Sequence, residues 1–198
     1  MQTEPAFSNT YALVLCGGQS SRMGTDKSML VYYQKPQRYH VYDMLQPFCE
    51  KTFISCKHAG IHTIEHGYAC LADDHRYTNS GPVAALLTAF EKFPGKNILL
   101  VGCDYPFLST ADLRQLASHC HGNRAAGFTN GKTYEPLLAW YPHTLYTELK
   151  ERFQAGRQSM KHLLEETGAV KVIPENEQSL FSVDTKDKYE MAKDALKR

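Results

Sequence analysis

The chain has 198 residues, enough for one α/β unit with a single core, and 42% of them are hydrophobic, which is enough to fill it. Its formal net charge is +1 at pH 7 with histidine neutral, so no broad basic field points to nucleic acid. No apolar run approaches the roughly 20 residues of a membrane span, and residues 1–10 lack the basic start and apolar stretch of a secretory signal. A single domain over residues 1–198 is expected, cytoplasmic, without membrane or nucleic-acid partners, and with residues 1–10 as a flexible N-terminal extension.

Residues 11–15 form a short apolar run that reads as a strand, and a glycine-rich loop follows it. Pro36 marks the first turn of a helix expected over residues 35–45. Residues 52–56 read as a β-branched strand, and residues 62–65 and 68–71 as lesser strand candidates. Ser80-Gly81-Pro82 opens a helix over residues 83–93, with Leu86, Leu87 and Phe90 on one face, and Pro94-Gly95 ends it. Residues 97–103 are apolar on both faces, which predicts a central strand of a parallel sheet, with Asp104 at its C-terminal end. Ser109 and Asp112 begin a capping-box-like helix through Cys120. Residues 124–129 and 134–141 are strands joined by the hairpin signal Asn130-Gly131. Helices over 144–154 and 160–167 follow, separated by Gly156, then short strands at 170–173 and 180–183. Asp184-Thr185 caps a last helix whose final residues carry cations against its dipole.

This alternation predicts an α/β fold in three layers, a mostly parallel sheet with helices on both faces and an antiparallel excursion. Ligands of such sheets bind beyond the carboxyl ends of the strands, where the glycine loop and Asp104 both fall. The six cysteines are scattered without a Cys-x-x-Cys pair, as expected for buried reduced thiols. His58, His62 and His66 recur every four residues, but the intervening Ile61, Thr63 and Ile64 favour a strand over a zinc-binding helix face.

The loop reads Leu-Cys-Gly-Gly-Gln-Ser-Ser-Arg-Met-Gly-Thr-Asp-Lys from Leu15 to Lys27. A buried strand feeding a glycine-rich loop presents backbone N–H groups to phosphate. Gly17, Gly18 and Gly24 permit close approach, Arg22 and Lys27 can neutralise phosphate oxygens, and Ser20 can donate to one. A Walker A loop is excluded because Thr25 and Asp26 separate Gly24 from Lys27. A dinucleotide fingerprint is excluded because its first glycines are not adjacent. Asp104, an acid at a strand tip followed by Tyr105-Pro106, is placed to hold Mg²⁺, which prefers oxygen ligands. No Ser/His/Asp or Cys/His nucleophilic arrangement is evident.

The loop resembles Leu-x-Gly-Gly-x-Ser-x-Arg-Met-Gly-x-Asp-Lys, the pattern of the MobA-like nucleotidyltransferases, the molybdenum cofactor guanylyltransferases and their relatives. Cys103-Asp104-Tyr105-Pro106 is similar to the family's Cys-Asp-x-Pro, and Asp73 lies eight positions before Gly81-Pro82 as in the family. Tyr134-Glu135-Pro136-Leu137 and residues 157–164 resemble segments near the family's second substrate. The likeness runs from Ala12 to about Ala192. It implies a Rossmann-like, nucleotide-diphospho-sugar-transferase-like fold. The implied reaction is transfer of GMP from GTP to Mo-molybdopterin with release of pyrophosphate and with Mg²⁺ as cofactor, by a monomer or weak homo-oligomer. In this likeness Asp104 is the metal carboxylate. Lys27, assisted by Arg22, holds the triphosphate and the departing charge, and Gly18 and Ser20 contact the nucleotide. Backbone groups of Leu15, Cys16 and Gly17 read the base, with Gly17 favouring guanine. Asp73 contacts the nucleotide, and the adjacent Asp74 is the alternative. Three positions depart from the family pattern: Ser55 stands for a base-contacting Asn, and Ser182 and Asp184 stand for the two amides of Asn-x-Asn-Thr-Pro-Glu. They leave open a CTP-using or phosphosugar-using relative, or a nucleotide-binding module without catalysis.

Overall fold

The computed structural model describes residues 4–16 and 26–197. Among them, in chain order, are β1 (Thr10–Leu15), α1 (Gln37–Leu45), β2 (Lys51–Cys56), β3 (Cys70–Ala72), α2 (Pro82–Lys92), β4 (Asn97–Gly102), α3 (Thr110–Ala117), β5 (Ala126–Thr129), β6 (Tyr134–Tyr141), α4 (Tyr146–Gln154), α5 (Met160–Glu166), β7 (Val170–Val172) and α6 (Lys186–Leu196). The strands form one sheet in the order β3-β2-β1-β4-β6-β5-β7. All run parallel except β6, which is antiparallel to both β4 and β5.

Why β1 and β4 are apolar throughout follows from the two layers that cover them. Leu13 and Leu15 of β1 and Ile98 and Leu100 of β4 pack on the face covered by α2, α4 and α5. Ala12, Val14, Leu99 and Val101 alternate onto the face covered by α1 and α3. Successive side chains of a strand point to opposite faces, so a strand between two helix layers shows no polar alternation. Within this sandwich the Trp140 indole N–H donates to the Thr10 hydroxyl at 3.0 Å, so its one polar atom is satisfied where no water reaches.

The topology creates the site. From β1 the chain steps to β2 and β3 on one side, then returns to β4 on the other side of β1. The strands that follow β1 and β4 in the chain therefore lie on opposite sides of this pair, and the carboxyl ends of β1 and β4 border the crevice in which such sheets bind ligands. Gly81 turns the chain into α2 with φ +59° and ψ −141°, a backbone state that only glycine adopts without strain, and Pro82 occupies the first helical turn.

Three expectations are corrected. Residues 62–65 are not a strand: a 3-10 turn spans His58–Thr63, with none of its residues buried. The Thr63 hydroxyl donates to the Gly60 carbonyl at 2.8 Å, and the Thr63 carbonyl accepts from the buried Arg38 guanidinium. These bonds outweigh the strand preference of Ile61, Thr63 and Ile64, of which only Ile64 packs against the core. Residues 180–183 are not a strand either. A 3-10 turn over Glu177–Leu180 leads into an extended segment lying past the end of β4, where Val183 N–H donates to the Asp104 carbonyl at 2.8 Å. Finally, residues 7–10 do not form a flexible extension. Phe7 is buried, and its N–H donates to the Phe48 carbonyl at 3.0 Å. Among the described residues no helix is long and apolar enough to cross a membrane.

Candidate nucleotide and metal site

Four of the residues singled out in the sequence come together at the carboxyl edge of β3, β2, β1 and β4. Leu15 ends β1 and Cys16 follows it. The Cys16 N–H donates to the Ser55 carbonyl at 3.4 Å, and the Leu15 carbonyl accepts from the Cys103 N–H at 3.2 Å. These backbone groups thus tie β1 to β2 and β4. A base edge at Leu15 would use the second lone pair of its carbonyl. Cys16 and Cys103 sit side by side, and the buried Cys103 thiol is held well above the usual thiol range by its hydrogen bond with Cys16 and by burial. All six cysteines are free thiols. Gly17, Gly18, Ser20 and Arg22 lie outside the described residues.

Lys27 opens a short 3-10 turn over Lys27–Met29. Asp26 caps that turn, its carboxylate accepting from the Ser28 N–H at 2.9 Å and the Ser28 hydroxyl at 2.8 Å. Among the described residues Lys27 forms no ion pair with Asp26; its charge instead favours the ionised forms of Asp104 and Asp184.

Asp104 lies two residues beyond β4 and is partly buried. Burial raises its carboxyl above the ordinary value, opposed by a hydrogen bond from Ser182 and by the charge of Lys27, while Asp184 adds to the rise. The Ser182 hydroxyl donates to Asp104 Oδ2 at 2.9 Å. Asp184 turns to Lys188, 2.7 Å away, which lowers its pKa. Tyr105 donates to Glu135 Oε2 at 2.9 Å, and burial raises the Glu135 carboxyl. Tyr33 donates to the Pro106 carbonyl at 2.7 Å, seating the segment after Lys27 against the Asp104 turn.

Asp73 follows β3. Its N–H donates to the Cys56 carbonyl at 3.0 Å, and its Oδ1 accepts from the buried Ser55 hydroxyl at 3.2 Å. Burial raises its pKa, with the Ser55 bond and Lys57 opposing. Asp74 has other work: it caps the next turn and takes a two-point bond from Arg76 at 2.7 and 3.0 Å, which holds its carboxyl far below the usual range. Ser55 thus joins the β1 end to Asp73 through its two oxygens, a role that its departure from the family pattern signalled only as a missing amide. The contact of Ser182 with Asp104 was equally out of reach of sequence reasoning, because 78 positions separate them.

A wide depression of about 740 Å³ lined by Tyr42, Asp43, Glu50, Lys51 and Phe53 lies at the opposite end of β2 and is unrelated to this edge. Among the described residues no three His, Cys, Asp or Glu side chains are grouped to cage a metal ion. Mg²⁺ usually takes one or two carboxylates and completes its shell with phosphate and water oxygens. The donor set at Asp104, a partly buried hard oxygen ligand with one oxygen already oriented, fits that demand.

A mostly parallel sheet with its strand order reversing at β1, a glycine-rich sequence after β1 and a partly buried carboxylate after β4 define a nucleotide-handling α/β protein. The chain belongs to the family of the MobA-like NTP transferase domain, whose model matches residues 12–172, and it is a nucleotidyltransferase. It is 34% identical over 138 residues to a molybdenum cofactor biosynthesis bifunctional protein from Synechocystis; the match takes in 64% of this chain and 39% of that longer protein. It is 28% identical over 152 residues to the molybdenum cofactor guanylyltransferase of Ectopseudomonas mendocina, covering 74% of this chain and 73% of the relative. Among solved structures, molybdopterin-guanine dinucleotide biosynthesis protein A from Archaeoglobus fulgidus matches with a TM-score of 0.78 at 22% identity, over 95% of this chain and 99% of the other. A 2-C-methyl-D-erythritol 4-phosphate cytidylyltransferase from Thermus thermophilus matches with 0.66 at 13% identity, over 96% and 98%. These structural likenesses bear on the fold, which is that of the nucleotide-diphospho-sugar transferases.

Proposed function

We propose that the protein transfers GMP from GTP to the terminal phosphate of Mo-molybdopterin, releasing pyrophosphate. The observation that carries this reading is the convergence of Lys27 and the partly buried Asp104 beyond the β1–β4 switch point, in a chain whose relatives are named for this reaction. An oxygen of the pterin phosphate forms a bond to the α-phosphorus, the bond from that phosphorus to the bridging oxygen breaks, and the electron pair leaves with pyrophosphate. Lys27 holds the triphosphate and meets the charge that grows on the leaving group. Asp104 would hold Mg²⁺, which when bound supplies charge neutralisation to the phosphate oxygens. Asp73, with Ser55 behind it, orients the nucleoside. Positioning and electrostatics carry such transfers, so no protein nucleophile is needed. Arg22 and Ser20 assist at the phosphates, and Gly17 and Cys16 set the preference for guanine.

The test is pyrophosphate release with each of the four nucleoside triphosphates, with and without Mo-molybdopterin. Release from GTP that requires the pterin is expected. Release from CTP alone, or GTP binding without release, would overturn the reading.

A further inference from the structure

Asp104 is fixed by two devices from different parts of the chain. On one side its Oδ2 accepts from the Ser182 hydroxyl at 2.9 Å. On the other, a Cβ placed on Gly102 would lie 2.6 Å from Asp104 Oδ1, with the Tyr105 ring at 3.1 Å and Leu137 Cβ at 3.3 Å. A contact of 2.6 Å is shorter than real Cβ atoms show, and the obstacle is a short, partly buried side chain already tied to Ser182. Gly102 has no positive φ, so its glycine is required by the close approach of the carboxylate and not by the backbone. Ser182 is held in turn. Its neighbour Val183 is fully buried with Tyr32 and Ala192, and donates to the Asp104 carbonyl at 2.8 Å. The C-terminal segment therefore grips Asp104 by main chain and side chain at once. Asp184, the other departure in that segment, is turned to Lys188.

We propose that Ser182 and Gly102 are positioning residues that set the Asp104 carboxylate for a divalent cation. This rests on the reading of Asp104 as the metal carboxylate. Gly102 provides the space in which the carboxylate lies, and Ser182 selects which oxygen faces inward. The remaining lone pairs are thereby aimed before any cation arrives. A hydroxyl donor at position 182 does this without adding charge to the crevice. Partners that orient a metal ligand in this way are worth about 10–100-fold in metal affinity.

The test measures GTP affinity by calorimetry on the full chain, once in EDTA and once with saturating Mn²⁺. The factor by which Mn²⁺ tightens GTP is the coupling between the two. Ser182→Ala and Gly102→Ala are expected to reduce that factor about tenfold or more, with GTP affinity in EDTA and the thermal midpoint of Ser182→Ala close to wild type. Ser182→Thr, which keeps the hydroxyl, restores it. In an Asp104→Asn background, Ser182→Ala produces no further loss, because the serine acts through the carboxylate. A wild-type factor retained in Ser182→Ala overturns the proposal, as does an equal loss in the Asp104→Asn background. A wild-type protein in which Mn²⁺ leaves GTP affinity unchanged overturns the metal-ligand reading itself, and the proposal with it. Ser182→Ala removes one hydroxyl and carries the test even where Gly102→Ala disturbs folding.

Discussion

Replacing Asp104 with asparagine should stabilise the protein while removing its activity. Asp104 is partly buried, and burial lifts its carboxyl above the ordinary 3.8 despite the Ser182 hydrogen bond and the charge of Lys27. The folded state therefore holds this proton more tightly than the unfolded chain does. Stability from this group is greatest below the unfolded value, falls as pH rises through the folded value, and stays at its low level at neutral pH. The amide that replaces the carboxylate would carry no charge, would still accept from Ser182 through its carbonyl oxygen, and would no longer repel Asp184 across the crevice. A gain in stability is therefore expected at pH 7.5, read as a higher urea midpoint and a higher Tm for the variant. The gain should shrink as pH falls, because the folded wild-type carboxyl takes up its proton more readily than the unfolded one. Urea unfolding of both proteins in EDTA, at pH 7.5 and pH 4, measures this directly. A variant less stable than wild type at pH 7.5, or a gain independent of pH, would refute the reasoning.

Three further outcomes follow from other parts of the molecule. Lys27→Ala should lower pyrophosphate release by about 10²–10³-fold or more, as loss of one preorganised electrostatic contact does, while the urea midpoint stays at the wild-type value. Gly81→Ala should cost about 1–3 kcal/mol through backbone strain alone, because nothing lies within 4 Å of the added Cβ; a midpoint within error of wild type would contradict the φ of +59°. Trp140→Phe should cost about 1–3 kcal/mol, since it deletes the buried bond to Thr10; denaturation with an unchanged m-value checks that the loss is in stability.

The sheet was legible wherever burial alone decides conformation. Residues 97–103 could be read as central because both faces of the strand are covered, and β4 is indeed fourth of seven. Asn130-Gly131 announced its hairpin, and Gly81-Pro82 announced α2, because each depends on neighbours in sequence. Segments 58–63 and 180–183 were not legible. Their conformations follow from Arg38 and Asp104, partners 25 and 79 positions away that no local pattern encodes. The site divides in the same way. Asp104 sits at a strand end that the apolar run locates, Lys27 follows from the spacing of the glycine loop, and Asp73 was legible only from its offset to Gly81-Pro82 in the family pattern. Ser55 and Ser182 were visible only as departures from a family pattern. Their work is to hold Asp73 and Asp104, a relation between side chains that exists only once the strands are assembled.

The central claim is that Lys27 and Asp104 serve transfer of the α-phosphoryl nucleotide to a pterin phosphate. The most direct measurement follows a label on the α-phosphate of GTP, with Mo-molybdopterin as acceptor. The label should move to the pterin product in the wild-type protein and remain with GTP in Lys27→Ala and Asp104→Asn. Equal transfer by either variant, or no transfer by the wild type under conditions where it binds GTP, would contradict the account.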